Sequence, residues 1–233
     1  MSFVQFRDVT KVYQVGDTKV EALKGLSFEI GEGEFVVIVG PSGSGKTTLL
    51  NILGGMDGCS GGEIFVGDTA VHLMKERQLT KYRRDDVGFV FQFYNLMPNL
   101  TALENIELAV EICKNPHNPK EVLDSVGLAA RAKNFPSQLS GGEQQRVSIA
   151  RSIAKNSRIL LCDEPTGALD YETGKMVLRL LQTISRERGK TVILVTHNGA
   201  LRDMADKVIS IKNGLVEDVI INSEPKSINE IEW

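Results

Sequence analysis

An α/β fold with a mostly parallel central sheet is predicted by three features of the 233-residue sequence. Four nearly continuous apolar runs have the length of strands that are buried on both faces. Shorter alternating segments, punctuated by glycine, indicate antiparallel strands near the amino terminus. Helical periodicity between residues 99 and 137 indicates an inserted helical segment. We therefore expect an α/β core with an N-terminal antiparallel β subdomain and an inserted α-helical subdomain.

The antiparallel strands are expected within the first 70 or so residues. The segments are FVQFRDVTKVY (3–13), LKGLSFEI (23–30) and GEIFVGDTAV (62–71). Their apolar and polar residues alternate, which is typical of strands with one buried face.

The strands of the parallel core are expected in four apolar runs. These are FVVIVG (35–40), VGFVFQ (87–92), RILLCDEP (158–165) and TVILVTH (191–197). The first, third and fourth lead into polar or glycine-rich turns, and ligands of open α/β sheets bind at such carboxyl-terminal strand ends. The sequence therefore predicts a functional site along that edge.

The helical subdomain is expected in LTALENIELAVEICKN (100–115) and PKEVLDSVGLAARAKN (119–134), with Pro116, Pro119 and Pro136 as punctuation. We expect a single domain over residues 1–233, with the core at about 1–98 and 138–233 and the insertion at about 99–137. The tail after Lys212 receives no fold assignment.

Composition narrows the classes of protein. Hydrophobic residues make up 42% and charged residues 24% of the chain, as in ordinary globular proteins. The net charge of −3 and the lack of a long basic cluster argue against a nucleic-acid partner. The three cysteines have no zinc-site spacing, and we expect free thiols in a reducing compartment; they are Cys59, Cys113 and Cys162. No apolar run approaches the roughly 20 residues of a membrane-spanning helix.

The strongest motif is a glycine-rich loop between an apolar run and a predicted helix. GPSGSGKT fits G-x-x-x-x-G-K-[ST], which predicts a P-loop NTPase core that binds ATP and Mg²⁺. Glycines let successive N–H groups face phosphates, Lys46 supplies a charge to the outer phosphates, and Thr47 can bind Mg²⁺ through its hydroxyl. A turn that binds nothing is the alternative, which the strand and helix on either side disfavour. The candidate nucleotide-binding residues are Gly40, Pro41, Ser42, Gly43, Ser44, Gly45, Lys46, Thr47 and Thr48.

Two carboxylates follow the apolar run ILLC. Asp163 is placed to hold the water shell of Mg²⁺, and Glu164 to orient or deprotonate a water for attack on the γ-phosphate. Acids that merely cap the following turn are the alternative. The Lys46 loop elsewhere in the chain favours the nucleotide site.

LSGGEQQR (139–146) contains a second predicted helix start that is suited to binding an anion. A helix that opens after Ser140, Gly141 and Gly142 offers backbone N–H groups and the positive end of its dipole. Val147, Ala150 and Ala154 then fall on one side, which indicates a packed helix. These residues alone leave open whether the loop binds a second ligand or completes a nucleotide site in another copy of the chain.

LSGGEQQR followed by RILLCDEPTGALD, with the Lys46 loop upstream, resembles the nucleotide-binding subunits of ABC transporters over essentially the whole chain. The resemblance implies a homodimer in the ATP-bound state. In it, two subunits pair head to tail and the signature of one, Ser140, Gly141, Gly142 and Glu143, closes over the ATP in the other. Ser140 and Gly142 would contact the γ-phosphate.

The same resemblance assigns further residues. It implies that Tyr13 stacks on adenine, although a core tyrosine of a strand is the alternative. Gln92 would sense Mg²⁺ and the attacking water, and His197 would contact the γ-phosphate. Asp170 would belong to the loop that crosses the dimer interface, where Gly167 stands in place of a common serine.

Histidines outside these motifs, His72 and His117, are expected to be surface residues.

Within the family, the segments YQVGDTKVEALKGLSFEI, LLNILGGMD, FVFQFYNLMPNLTALENIELAV and EPTGALD are similar to the branch of MacB, LolD and FtsE. GCSGGEI (58–64) departs from the usual proline-containing turn. The branch implies an integral membrane permease partner, attachment at the cytoplasmic face of the membrane, and a role in export, antimicrobial peptide resistance or lipoprotein release. A regulatory or mechanotransmission module with little transport of its own is the alternative. A DNA-repair or translation ABC protein is disfavoured, since the chain has neither a second cassette nor a long coiled-coil insertion.

The segment FYNLMPNL is predicted to contact the permease. Exposed apolar clusters usually mark binding surfaces, although a core position would account for some of these side chains. The apolar residues are Phe93, Tyr94, Leu96, Met97 and Leu100.

Overall fold

The computed structural model of the protein describes residues 2–232; Met1 and Trp233, the ends of the predicted domain, lie outside the described residues. Two sheets are present in this range, a four-stranded sheet of order β2-β1-β4-β5 and a six-stranded sheet of order β10-β9-β3-β8-β7-β6. The strands are β1 (Ser2–Val15), β2 (Thr18–Gly31), β3 (Phe35–Val39), β4 (Gly61–Val66), β5 (Thr69–Ala70), β6 (Val87–Phe91), β7 (Ile159–Asp163), β8 (Thr191–Thr196), β9 (Lys207–Lys212) and β10 (Leu215–Ile221).

Helices connect the strands of the six-stranded sheet. They are α1 (Lys46–Leu53), α2 (Glu76–Asp85), α3 (Ala102–Val110), α4 (Pro119–Ser125), α5 (Gly141–Ala154) and α6 (Tyr171–Arg188). Short 3-10 turns lie at Val71–Leu73, Ala129–Arg131, Pro136–Gln138, Gly199–Met204 and Ile228–Glu230. Within residues 2–232, no helix is long and apolar enough to cross a membrane.

The four-stranded sheet is antiparallel throughout, as the alternating segments predicted. β1 pairs with β2 along one edge and with β4 along the other. Phe6 and Phe28 stack on the buried face with their ring centroids 4.6 Å apart. This sheet covers one side of the core and places Tyr13, near the end of β1, close to α1.

The six-stranded sheet is parallel apart from β10, which pairs antiparallel with β9. Side chains of a strand point alternately to the two faces of its sheet. In β3, Phe35, Val37 and Val39 accordingly join one hydrophobic cluster with α5 and α6, whereas Val36 and Ile38 join a second cluster with α1 and the antiparallel sheet. Burial on both faces explains why these strands read as continuous apolar runs.

The inserted helices α3 and α4 lie within residues 99–137 and pack against α5. Ile106 of α3, Leu123 of α4 and Val147 of α5 belong to the same cluster as the parallel strands. Thr101 and Glu104 form a reciprocal capping box at the start of α3. α4 ends at Ser125, two residues before Gly127, whose φ of 73° lies in the left-handed region. The domain boundaries stay a prediction.

The described part of the tail after Lys212, which the sequence analysis left unassigned, contains β10 and the 3-10 turn at Ile228–Glu230. Asn213 and Gly214 have φ values of 51° and 79° and join β9 to β10 in a two-residue turn. Asn-Gly is the preferred sequence of the type I′ hairpin, so the signal was present in the sequence. Residues 222–231 then form what we call the C-terminal strap. Its Ile228 and Ile231 are buried in the main cluster.

Two surface expectations are tested by burial. His117 is exposed, as expected, but His72 is half-buried, so that expectation was wrong. Its Nδ1 lies 3.1 Å from the backbone N of Ile64, and its ring meets Phe65 edge-on at 5.4 Å between centroids. His72 thus closes the end of the antiparallel sheet. The three cysteines are free, as expected.

The C-terminal strap provides a test of packing. Ile228 is fully buried, so Ile228→Ala should lower the free energy of unfolding by about 2 to 4 kcal/mol, as large-to-small core substitutions do. Ile221 is 75% exposed, and Ile221→Ala should change it by less than about 0.5 kcal/mol. Urea denaturation measures both. If the two substitutions lowered the free energy of unfolding equally, the packing of the C-terminal strap on the core would be contradicted.

Candidate active site

The glycine-rich loop joins β3 to α1 through backbone that only glycine adopts easily. Gly43 and Gly45 have φ values of 76° and 102°. A Cβ on Gly40 would lie 2.1 Å from the carbonyl oxygen of Ile211, and one on Gly45 would lie 2.6 Å from that of Ala22. The loop therefore packs too closely on β9 and β2 to admit a side chain at Gly40 or Gly45.

The amino terminus of α1 is suited to an anion. Gly45 provides no side-chain cap, and the first turn has no acidic residue. By contrast, side chains cap α3, α5 and α6, namely Thr101, Ser140 and Asp170. Because the first N–H groups of a helix have no partner within it, those of α1 remain available to a phosphate.

Lys46 lies buried inside the loop. Its Nζ donates hydrogen bonds to the carbonyl oxygens of Gly40 (2.8 Å) and Pro41 (2.9 Å). Burial lowers the pKa of Lys46, while the charges of Glu164 and Asp163 act in the opposite direction. The buried hydroxyl of Ser44 has no hydrogen-bond partner in the described chain. A bound phosphate would supply negative charge to the ammonium group and acceptors to the loop.

Eight of the predicted residues converge on one cleft of about 380 Å³ at the carboxyl ends of the parallel strands. They come from the loop and from the ends of β6, β7 and β8, and are Ser42, Gly43, Lys46, Thr47, Gln92, Asp163, Glu164 and His197. Gly167 and Val195 complete its lining. The structure thus brings together the loop and the strand-end residues that the sequence singled out separately.

The oxygen atoms in this cleft suit Mg²⁺. Thr47 Oγ1 donates to Asp163 Oδ1 at 3.3 Å, and Gln92 lines the same space. Burial raises the pKa of Asp163, and the nearby charge of Glu164 adds to this, although the Thr47 hydroxyl and Lys46 oppose it. A hydroxyl, a carboxylate and an amide oxygen are hard ligands of the kind that Mg²⁺ prefers, and a divalent cation would favour the ionised carboxyl. The donor set therefore fits the ion.

Glu164 is held by the end of β8. It has a left-handed φ of 47°, uncommon for a residue with a side chain. Its Oε2 accepts from the Thr196 hydroxyl at 3.1 Å, and its Oε1 accepts from the backbone N–H of His197 at 2.9 Å. His197 Nδ1 lies 2.8 Å from the same Oε1. These contacts fix the carboxylate toward the cleft, a link between the two residues that the motifs did not predict.

The second glycine-rich helix start is explained partly within one chain. Ser140 Oγ accepts from the N–H of Glu143 at 3.3 Å, and Glu143 Oε2 accepts from the N–H of Ser140 at 2.8 Å. Gly142 is buried, and a Cβ there would lie 1.9 Å from Cγ2 of Thr173. Close packing of α5 on α6 therefore requires Gly142, which the sequence analysis had explained only by the approach of an anion.

The signature residues do not line the cleft described above. Ser140, Gly141, Gly142 and Glu143 are all absent from its lining among the described residues, as are Tyr13 and Asp170. Asp170 caps α6 by accepting from the N–H of Thr173 at 3.1 Å. Tyr13 is half-buried and donates to Asp57 Oδ2 at 2.8 Å, so it is not a core tyrosine. Adenine stacking stays a prediction.

Sequence reasoning missed Gln145. This fully buried side chain donates from Nε2 to the carbonyl oxygens of Phe91 (3.2 Å) and Pro165 (2.9 Å). It thereby ties the residues beside Gln92 and Glu164 to α5. The two glutamines in GGEQQR were the available signal, since a polar side chain on an otherwise apolar helix face needs buried partners.

Comparisons with known proteins show the family of the chain. The family model described as ABC transporter matches residues 23–167. An ABC transporter ATP-binding protein of Thermotoga maritima is 47% identical over 91% of this chain and 92% of its own length. The macrolide export ATP-binding/permease protein MacB of Wolinella succinogenes is 44% identical over 91% of this chain, which spans 34% of that protein. The chain spans half the length of similar relatives from Mycoplasma.

A solved structure matches the whole architecture. The ATP-binding cassette MJ0796 of Methanocaldococcus jannaschii, in a dimeric post-hydrolysis state bound to ADP and Pi, superposes with a TM-score of 0.86. Sequence identity is 43%, and the match covers 94% of this chain and 98% of that one.

Binding and turnover should be separable in this cleft. Lys46→Ala should lose nucleotide affinity because the charge facing the phosphates is removed. Glu164→Gln should still bind ATP, yet lower kcat by about 10²- to 10⁴-fold, the usual contribution of a general base. Nucleotide titration and phosphate release measure the two effects, with the exposed Glu187→Gln as a control. A kcat of Glu164→Gln within about threefold of the parent would contradict its role.

Proposed function

The chain belongs to the ABC transporter family as an ATP-binding ATPase subunit, and from this premise we propose that it drives an integral membrane permease as a homodimer at the cytoplasmic face. The observation that carries the proposal is the single cleft that joins Lys46, Asp163 and Glu164. Phosphate binding, Mg²⁺ binding and water activation are thereby available within one site.

Each residue of the cleft has a distinct role in hydrolysis. Lys46 and the N–H groups of α1 bind the phosphates of ATP and orient the γ-phosphate. Thr47, Asp163 and Gln92 would hold Mg²⁺, which neutralises phosphate charge when bound. Glu164 accepts the proton of the water whose oxygen forms the new bond to the γ-phosphorus, as the bond to the leaving ADP oxygen breaks.

The surroundings of Glu164 suit that role. The Thr196 hydroxyl and the His197 N–H both donate to the carboxylate, which holds it in place within the cleft. The His197 side chain is 67% exposed, so it is free to turn from Glu164 toward a γ-phosphate. His197 therefore first positions the carboxylate of Glu164 and then contacts the γ-phosphate of the nucleotide.

The homodimer is supported by the placement of the signature. Ser140 and Gly141 lie at the start of α5, outside the cleft of their own chain. A glycine-rich helix start without a phosphate loop beside it is explained if it closes over the ATP of a second copy. The MJ0796 cassette is dimeric in its ADP- and Pi-bound state.

A permease partner is supported by a groove lined with cations and apolar side chains. A cavity of about 330 Å³ lies between α2, α3 and α5, with Phe89, Ala109 and Ile112 among its walls. The cations around it are Arg83, Arg84, Arg151 and Lys155. This combination fits an amphipathic permease helix that carries acidic residues.

The segment after Gln92 borders this groove. Arg151 donates to the carbonyl oxygens of Asn95 (2.6 Å) and Tyr94 (3.2 Å). Leu96 packs against the core, which accounts for its apolar character, whereas Phe93 is 74% and Met97 52% exposed. Those two exposed apolar side chains belong to the segment that Arg151 ties to the groove, and a helix docked on both would move with Gln92. We assign transport of macrolides, peptides or lipoproteins to the permease rather than to this chain.

The homodimer has a direct test. Glu164→Gln with ATP and Mg²⁺ should elute as a dimer, and adding Ser140→Arg should return it to monomer, because bulk and charge then occupy the start of α5. Size-exclusion chromatography with light scattering measures the mass. If the double variant of Glu164→Gln and Ser140→Arg still dimerised with ATP, the head-to-tail model would be wrong. A mixture of Lys46→Ala and Ser140→Arg chains should recover some ATPase activity, since one intact composite site can form.

Permease docking is tested at Met97. Met97→Glu should release the subunit from its permease while its isolated ATPase activity stays within about twofold, because an exposed apolar side chain is lost without a core cavity. Met176 on α6 is 46% exposed, and Met176→Glu is the matched control. Copurification from membranes and phosphate release report the two properties. Copurification of Met97→Glu at the parental level would place the docking surface elsewhere.

A further inference from the structure

Three side chains form a closed cluster beside α1, which we call the Tyr13 cluster: Lys11, Tyr13 and Asp57. Asp57 Oδ2 accepts from the Tyr13 hydroxyl at 2.8 Å, and Oδ1 accepts from Lys11 Nζ at 2.6 Å. The backbone N–H of Gly58 donates to the same Oδ1 at 2.7 Å. Both carboxylate oxygens are thus occupied by fixed donors.

The position of Asp57 is set by α1, the helix that begins at Lys46. The backbone N–H groups of Met56 and Asp57 both donate to the carbonyl oxygen of Asn51, at 2.8 and 3.2 Å. Asp57 is therefore anchored to the last turns of the helix that carries the phosphate loop. Through Asp57, the tyrosine of β1 acquires a fixed position relative to that helix.

Lys11 covers one face of the tyrosine. Its Nζ lies 4.7 Å from the ring centroid, in the range of cation–π contacts, and also donates to the carbonyl oxygen of Gly58 at 2.6 Å. The Lys11 side chain is only 12% exposed, so it is held in place. The tyrosine is half-buried, and Lys11 occupies one face of its ring.

We propose that Asp57 and Lys11 are positioning residues for nucleotide binding, which hold the Tyr13 ring so that its other face receives the adenine of the nucleotide bound at Lys46. The proposal rests on the proposed function. A ring fixed before binding loses less conformational freedom when a base stacks on it, and so binds the base more tightly.

The pKa of the Tyr13 phenol depends on its hydrogen bond to Asp57. Burial raises the pKa of Tyr13, and the hydrogen bond to Asp57 raises it further, while a hydrogen bond with the side chain of Thr48 and the charge of Lys11 act in the opposite direction. Removing the carboxylate should therefore lower the pKa of Tyr13. The pKa of Tyr13 is measured by titrating the ultraviolet absorbance of the tyrosines. Subtracting the titration curve of Tyr13→Phe isolates the contribution of Tyr13.

The test compares two probes in the full chain, ATP and inorganic tripolyphosphate, which has phosphates but no base. Tyr13→Ala should raise the Kd for ATP about tenfold, in line with the loss of a stacked base. Asp57→Ala should raise it about fivefold and raise KM with kcat changed by less than about twofold, whereas the Kd for tripolyphosphate stays within about twofold. Asp57→Asn, which can still accept from the Tyr13 hydroxyl, should fall between Asp57→Ala and the parent.

Glu63→Ala is the control, because it breaks an exposed ion pair with Arg7 in the same sheet. If Asp57→Ala weakened the binding of ATP and of tripolyphosphate equally, the cluster would have only a structural role and the proposal would be overturned. The proposal would also be overturned if Asp57→Ala bound ATP with the parental affinity while Tyr13→Ala bound ATP more weakly. If Tyr13→Ala binds ATP normally while Lys46→Ala does not, the proposal fails and the ATPase function stands.

Discussion

The register of the parallel strands is the constraint on which the site depends. Val39 of β3 pairs with Thr196 of β8, Asp163 of β7 pairs with Val195, and Phe91 of β6 pairs with Asp163. The next residues along each strand must therefore meet at one edge, and these are Gly40, Gln92, Glu164 and His197. A slip of one residue would turn the side chains of a strand to the opposite face, and burial on both faces opposes such a slip.

Electrostatics within the cleft complement this geometry. Burial disfavours charge on Lys46 and on Asp163, because both groups lose water without gaining a full set of partners. A nucleotide phosphate beside the lysine and a divalent cation beside the carboxylate would each restore the charged form. Burial of these two groups thus favours the binding of both ligands, whereas Glu164 already has donors on both oxygens.

Local sequence predicted the features that depend on local physics. Buried strands, the P-loop and the glycine-rich start of α5 follow from apolar runs and glycines. The Asn213-Gly214 hairpin was equally local and was overlooked. Other features depend on residues far apart in the chain, and no local pattern contains them. Thr173 makes Gly142 obligatory, Glu164 meets His197, and Ile228 of the strap enters the main cluster.

One helix links the separate parts of the site. α5 begins with the signature at Ser140, reaches the ends of β6 and β7 through Gln145, and holds the segment after Gln92 through Arg151. Its core face is fully buried, so it can shift only as a rigid body. A displacement at the nucleotide cleft would therefore move both the surface proposed to close over a second copy and the surface proposed for the permease. Through α5, a helix start that has no phosphate loop beside it in one chain would act together with the phosphate loop.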